Sequence, residues 1–175
     1  DEWFNYWLEE RMKWYVNLGI KKENLRLREH AKEELAHYAR ACCDINYLFP
    51  MGWAELEGVA NRGNFDLEQH ANASGKSLAY PDKETNEHII PNIIEPSAGV
   101  DRSFLAFLYD AYDEEMAEGE LRVVLRFHYS LAPIKVAILP LSRKEPLDQL
   151  AKQVYADLRP CWTVQYDDTQ SIGRR

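Results

Sequence analysis

The segment Glu95-Pro96-Ser97-Ala98-Gly99-Val100-Asp101-Arg102 admits few folds. Before it, Ile89 to Ile94 reads as an apolar strand with Pro91 inside, which implies an edge or a bulge, because proline cannot donate to a ladder. After it, Val100, Phe104, Phe107, Leu108 and Ala111 recur at helical spacing. The chain is therefore expected to pass from strand to helix through a sharp turn of small residues, with Arg102 in the first helical turn. Free N–H groups and the helix dipole at such a corner add to a guanidinium, so the pattern predicts an anion site.

Upstream, Trp3, Phe4, Trp7, Leu8, Met12, Trp14, Tyr15 and Leu18 predict a long amphipathic helix stopped at Gly19, with the tryptophans as core anchors. Ala31, Leu35, Tyr38, Ala39 and Cys42 share a stripe that predicts a second helix. Ile45 to Phe49 and Trp53 to Val59, separated by Pro50 and Gly52, predict two strands and a turn. Strict alternation in the second puts Glu55 and Glu57 on one face with Trp53 and Val59, either as a solvated face or as a cleft needing negative charge. Ala73 to Glu87 reads as a loop or hairpin, Asp113 to Glu120 as an acidic turn, and Leu121 to His128 as a strand.

A boundary is expected near Tyr129 to Pro133, because the pattern then changes. Ile134 to Pro140 is a nearly continuous apolar strand, Pro146 opens a helix with Leu147, Leu150, Ala151, Val154, Tyr155 and Leu158 on one stripe, and Trp162 to Tyr166 is another strand. This is a βαβ unit, so the fold class is α+β, with domains expected at 1–130 and 131–175. One such unit cannot cover both faces of its sheet, which suggests a chain cut through its second domain.

The remaining limits are chemical. Apolar runs are too short to span a bilayer and no secretory signal opens the chain, so a cytoplasmic protein with no membrane partner is the expectation. Adjacent Cys42 and Cys43 make a poor disulfide framework, and His30, His37, Cys42 and Cys43 lack paired zinc-ligand spacing, so they read as reduced core thiols beside helix histidines. A formal charge of -8 argues against an overall cationic nucleic-acid clamp while leaving room for a local basic surface.

Three blocks then carry a resemblance. Gly52-Trp53-Ala54-Glu55-Leu56-Glu57-Gly58-Val59-Ala60-Asn61-Arg62, with Phe65-Asp66-Leu67 and His70 after it, is similar to the segment that glycyl-tRNA synthetases carry before their third class II motif. Glu95 to Arg102 resembles that third motif in its glycine-specific form. Leu131 to Leu141 resembles the start of the family's anticodon-binding domain, and Tyr166-Asp167-Asp168 with Ser171 to Arg175 resembles its continuation. The resemblance implies residues 1–130 as the later part of an antiparallel-sheet class II catalytic domain with flanking helices, followed by a partial anticodon-binding domain. The family's first two motifs are expected upstream of Asp1, so the chain is expected to be a fragment, inactive by itself.

The resemblance also implies an activity and roles for residues. The family activates glycine with ATP and magnesium to glycyl adenylate, then charges tRNA(Gly), and works as a homodimer. Arg102 would contact the γ-phosphate of ATP, where a salt bridge to Asp101 or Glu95 is the plainer alternative. Glu95 and Ser97 would bind glycine, with a helix cap as the alternative for Ser97. Arg62 would face the glycine carboxylate or a phosphate, against an ion pair with Asp66. Glu55 would sit near ATP and its Mg, and Glu57 is the next candidate for ATP or a structural group. The competing reading is a non-catalytic synthetase relative that binds nucleic acid, such as the accessory subunit of mitochondrial DNA polymerase. Such a protein has no physical need to retain Glu55, Arg62, Glu95, Ser97 and Arg102 together. A third reading is a folding domain with no activity of its own.

Overall fold

The computed structural model describes residues 2–117 and 119–169, so the resemblance read in Ser171 to Arg175 lies outside the described residues. Contacts divide the chain between Arg126 and Phe127 into two units.

In the first unit, helix α1 (Glu2–Asn17) precedes strands β1 (Leu25–Glu29), β2 (Ala41–Phe49) and β3 (Gly52–Gly63). Helix α2 (Phe65–Ser74) and the small hairpin β4 (Tyr80–Pro81) and β5 (His88–Ile89) lead to β6 (Ile93–Ala98) and helix α3 (Val100–Ala111). The hairpin β7 (Tyr112–Ala117) and β8 (Glu120–Leu125) closes the unit. Strands β1, β2, β3 and β6 form one antiparallel sheet in that order. The second unit is the expected βαβ, with β9 (Val136–Ile138) parallel to β10 (Val164–Tyr166) and α4 (Leu147–Leu158) between them.

Helices α1 and α3 cover one face of the four-stranded sheet. Tyr15, Ile20, Leu25, Ile45, Tyr47, Phe49, Leu56 and Ala106 form the main core, continued by Leu8, Cys43 and Val59. Each large apolar side chain buried this way contributes about 1.5–3 kcal/mol. A buried carboxylate joins the layers: Asp110 of α3 accepts from the backbone N–H of Lys21, from Asn24 and from the Tyr47 hydroxyl at 2.7, 2.5 and 3.0 Å. The chain between α1 and β1 is thereby tied to α3.

Several expectations need correction. The helix predicted over Ala31 to Cys42 is a short 3-10 turn at Lys32–Glu34 followed by irregular chain and the start of β2. Its local stripe yields to tertiary pairing, because Cys43, Ile45, Tyr47 and Phe49 reach the core only if β2 lies between β1 and β3. The tryptophans are not core anchors: Trp3, Trp7 and Trp14 are exposed, and Leu8 and Tyr15 turn inward instead. The stripe predicted for α3 is rotated, with Val100 and Phe104 exposed and Ala106, Asp110 and Ala111 buried. The acidic segment from Asp113 is strand rather than turn, because Arg122 of β8 and Arg126 just after it pair with Asp113 and Glu115 across the hairpin. Residues Glu95 to Ala98 belong to β6, so the turn into α3 is confined to Gly99. The single strand predicted over Ile89 to Ile94, with an edge or a bulge at Pro91, is instead divided, and Pro91 lies between β5 and β6 in separate sheets.

The remaining departure sits in β3. Ile45 pairs with Glu57 and Asn46 with Glu55, so Leu56 is an extra residue opposite no partner. This bulge turns Leu56 and Glu57 both inward, each about 1% exposed, while Glu55 faces solvent. The shared face expected for Glu55 and Glu57 is therefore wrong. Glu57 accepts from Arg11 Nε and Nη2 at 2.6 and 3.0 Å and from the Tyr15 hydroxyl at 2.8 Å. Burial and the Glu57 charge push the Tyr15 phenol well above its usual range. Its three donors make Glu57 a structural carboxylate of the core. Losing one partner of a buried pair costs ~3–5 kcal/mol, and less where the survivor reaches water. Arg11 keeps 23% side-chain exposure. Glu57→Ala is therefore expected to lower stability by roughly 2–3 kcal/mol, measured by urea unfolding followed in the aromatic circular dichroism; an unchanged midpoint would show that the pair does not support the fold.

Candidate active site

The helix-free face of the sheet is polar. Cross-strand pairing places Arg26 and Arg28 of β1, Asp44 and Asn46 of β2, Glu55, Gly58, Ala60 and Arg62 of β3, and Glu95 and Ser97 of β6 on that side. Glu95 lies opposite Ala60 and Ser97 opposite Gly58, so small residues floor the face next to the two polar side chains of β6. At Gly58 a Cβ would stand 3.6 Å from Glu55 Oε1 and 3.8 Å from Asp44 Oδ1. Two carboxylates thus flank an open space that a larger side chain would fill.

Arg62 is the most constrained cation here. It donates to Asp66 Oδ2 and Oδ1 at 2.6 and 2.9 Å and to Glu95 Oε2 at 2.7 Å. Its guanidinium also lies 3.9 Å from the centroid of the Tyr38 ring. Asp66 and then Glu95 drive its pKa further up, so it is charged at every accessible pH. The ion pair with Asp66 and the contact with Glu95 coexist. Glu95 and Ser97 are both exposed, and Ser97 does not cap α3, whose N-cap is Gly99 without a side-chain bond.

Arg102 lies at the start of α3, exposed, and donates through Nη1 to the backbone carbonyl of Glu55 at 2.7 Å. It reaches the stretch of β3 that β6 leaves unpaired. It also lines a hollow of about 320 Å³ with Phe49, Met51, Ala54, Asp101 and Leu105. Asp101 provides the acidic charge in the first turn of α3. Glu55, Arg62, Glu95 and Ser97 therefore share one face and Glu57 lies on the other, while Arg102, on α3, reaches only the Glu55 backbone. A larger hollow, about 590 Å³, lies between α1 and β1 and contains none of these residues.

The sequence reading missed the wall of this face. Asp44 is buried, accepting from His30 Nε2 at 2.7 Å and from Arg28 at 3.4 Å, and Arg28 also holds Glu34 at 2.6 Å. Arg26 stacks on Trp53, 4.3 Å from the ring centroid. The alternation Leu25-Arg26-Leu27-Arg28 was the available signal, a half-buried strand with two cations on one side. Glu55, with the exposed space above Gly58, has the hard oxygen donors and room for water that Mg requires.

Comparison with known proteins identifies the fold and the sequence relatives. No protein-family model matches the chain. A solved prolyl-tRNA synthetase from Cryptosporidium parvum, complexed with L-proline and AMP, matches 98% of the chain and 35% of its own length at a TM-score of 0.60 and 13% identity. The fold is that of a class II aminoacyl-tRNA synthetase. Sequence is more particular. The chain is 56% identical over 174 residues to a glycine--tRNA ligase of Caldanaerobacter subterraneus subsp. tengcongensis, covering 99% of this chain and 37% of the relative. A glycine--tRNA ligase of Thermobifida fusca is 50% identical over 183 residues, covering 100% of this chain and 40% of that protein. The chain is thus homologous, end to end, to a segment of the glycine--tRNA ligases, and it spans somewhat more than a third of their length.

The Arg62 pairing has a measurable signature. Arg62 holds the Asp66 carboxyl below its ordinary value of 3.8. A carboxylate with a depressed folded-state pKa stabilises the fold above its unfolded value, and that contribution is lost as pH falls through the lowered pKa. An NMR titration of Asp66 should therefore give a midpoint below 3.8, rising towards 3.8 in Arg62→Gln.

Proposed function

We propose that the chain supplies the glycine-binding floor and one phosphate contact of a glycine-activating site, as part of a glycine--tRNA ligase. The observation that carries this is the placement of Arg62, Glu95 and Ser97 together on one exposed face, with the Arg62–Glu95 contact at 2.7 Å. Glu95 uses Oε2 for Arg62, which leaves Oε1 for an ammonium group. Ser97, opposite Gly58, offers a hydroxyl beside it. Arg62, fixed by Asp66 and Tyr38, presents its charge to the substrate carboxylate or a nearby phosphate. Glycine has no side chain to grip, so recognition rests on these charges and on shape. No competing amino acid is smaller, so steric exclusion suffices.

The reaction is ATP plus glycine to glycyl adenylate and pyrophosphate. A carboxylate oxygen of glycine bonds to the α-phosphorus as the bond to the pyrophosphate oxygen breaks. The attacking carboxylate is already ionised, so the protein aligns groups and stabilises charge without a general base. Arg102, a forked permanent cation, takes the γ-phosphate after leaving the Glu55 carbonyl. Glu55 is the residue that would hold Mg, which supplies charge neutralisation on the phosphate oxygens. Transfer of the glycyl group to tRNA(Gly), homodimer formation and a role for the βαβ unit in anticodon binding complete the proposal, in a cytoplasmic setting. No helix among the described residues is long and apolar enough to cross a membrane.

The test is ATP–pyrophosphate exchange dependent on glycine, in the Caldanaerobacter relative with its matching segment replaced by this chain. Activity is expected in the chimera and none in the 175-residue chain alone. Arg102→Ala should lower exchange, and Glu95→Gln should raise the glycine requirement, each about 10- to 100-fold, the equivalent of a lost charge-assisted hydrogen bond of ~1.5–3 kcal/mol. A folded chimera in which either substitution leaves these values unchanged would overturn that residue's role.

A further inference from the structure

The fold brings together three ligand-type atoms that the sequence keeps apart. His30 follows β1, while Cys42 and Asp44 lie two apart on β2 and project to the same face. The His30, Cys42 and Asp44 ligand atoms all lie within 4.8 Å of one another. Among the described residues this is the one such grouping of histidine, cysteine and acid. We propose that His30, Cys42 and Asp44 form a binding site for a borderline divalent cation of the zinc class, on the wall of the polar face.

Three arguments support it. An imidazole nitrogen, a thiolate and one carboxylate oxygen make a donor set that suits zinc and is poorly matched to calcium or magnesium, which take oxygen ligands. Three protein ligands leave a position for water, as in open zinc sites. The scaffold is also rigid: Asp44 is buried in the middle of the sheet, with Oδ2 towards His30 and Oδ1 towards the space above Gly58. The metal would use Oδ2 and leave Oδ1 as it is. On binding, Cys42 gives up its thiol proton to solvent, and His30 exchanges the proton on Nε2 for one on Nδ1 through solvent, so that the neutral imidazole ligates through Nε2, the atom already turned to Asp44.

One group opposes it. Arg28 Nη1 stands 3.3 Å from His30 Nε2 and 3.4 Å from Asp44 Oδ2, so it fills part of the space a cation would take. Its other nitrogen is bound to Glu34 at 2.6 Å, and its side chain is 44% exposed. Arg28 can therefore withdraw towards Glu34 and keep its charge paired. The site is then a competition between an internal cation and an external one. Binding should be readily reversible and should tighten when Arg28 is replaced by Gln.

Cobalt(II) substitution tests the assignment without any catalytic assay. Titrating the chain with Co²⁺ should produce a thiolate-to-cobalt charge-transfer band in the near ultraviolet, removed by equimolar Zn²⁺. The band should persist in Cys161→Ser, which removes the exposed thiol, and vanish in both Cys42→Ala and Cys42→Ser. His30→Gln should weaken Co²⁺ binding by at least roughly tenfold, since disturbing even the partners of ligands costs 10- to 100-fold. Circular dichroism of each variant separates loss of a ligand from loss of fold, and two substitutions at Cys42 guard against either one misfolding. No band in the unsubstituted chain, or a band that disappears with Cys161 and survives without Cys42, overturns the site. Because nothing in this readout depends on glycine or ATP, its failure leaves the adenylation reading untouched.

Discussion

A charged carboxylate inside the core sets the geometry of the polar face. Glu57 is tolerated there because Arg11 reaches in from α1 with two hydrogen bonds and Tyr15 adds a third. Admitting it requires the extra residue at Leu56, and the bulge is what directs Glu55 the opposite way. Side chains on a strand alternate, so a β3 without the bulge would keep Glu55 and Glu57 on one side. Either the core would then hold two carboxylates for one arginine and Leu56 would face the polar side, or Glu57 would leave the core and its partners Arg11 and Tyr15. Strand β6 pairs β3 only from Glu57 onward, and Arg102 finds the Glu55 carbonyl on the stretch that β6 leaves unpaired.

The two arginines of the face are held differently, and the difference suits their proposed tasks. Arg62 is gripped by Asp66, Glu95 and the Tyr38 ring, so most of its side-chain freedom is already lost before any ligand arrives. A small rigid substrate benefits from such preorganisation, because binding then orders little else. Arg102 is exposed and makes one hydrogen bond, to a backbone oxygen. A cation so lightly held can follow a flexible phosphate chain. The wall of the face is a further contrast, since Asp44 holds His30 and Arg28, and Arg28 is shared with Glu34.

The type of an element was legible where apolar spacing alone decides it. Helix α1 and the βαβ unit are such cases, as the stretches 134–140 and 147–158 present their apolar residues at strand and helix spacing although Leu147 and Leu150 are exposed. Residues Ala31 to Cys42 are not. Their stripe is compatible with a helix, yet the demand that β2 pair on both sides overrides it. The acidic Asp113 to Ala117 stretch likewise looked like a turn because its neutralising arginines lie a hairpin away. The exposed tryptophans of α1 show the limit of residue type as a guide to burial, since Tyr15 won the inward position through its bond to Glu57.

Sequence alone determined the succession of a strand-to-helix corner, an α+β unit and a βαβ unit, and its resemblance picked out Glu55, Arg62, Glu95, Ser97 and Arg102. Those features are local or carried in contiguous blocks, so no long-range contact is needed to see them. Tertiary structure decided which of two neighbouring glutamates faces solvent, what holds Arg62, and that His30 meets Cys42 and Asp44. Each of these depends on strand register and on partners distant in sequence, because a one-residue shift in pairing moves a side chain from one face of a sheet to the other.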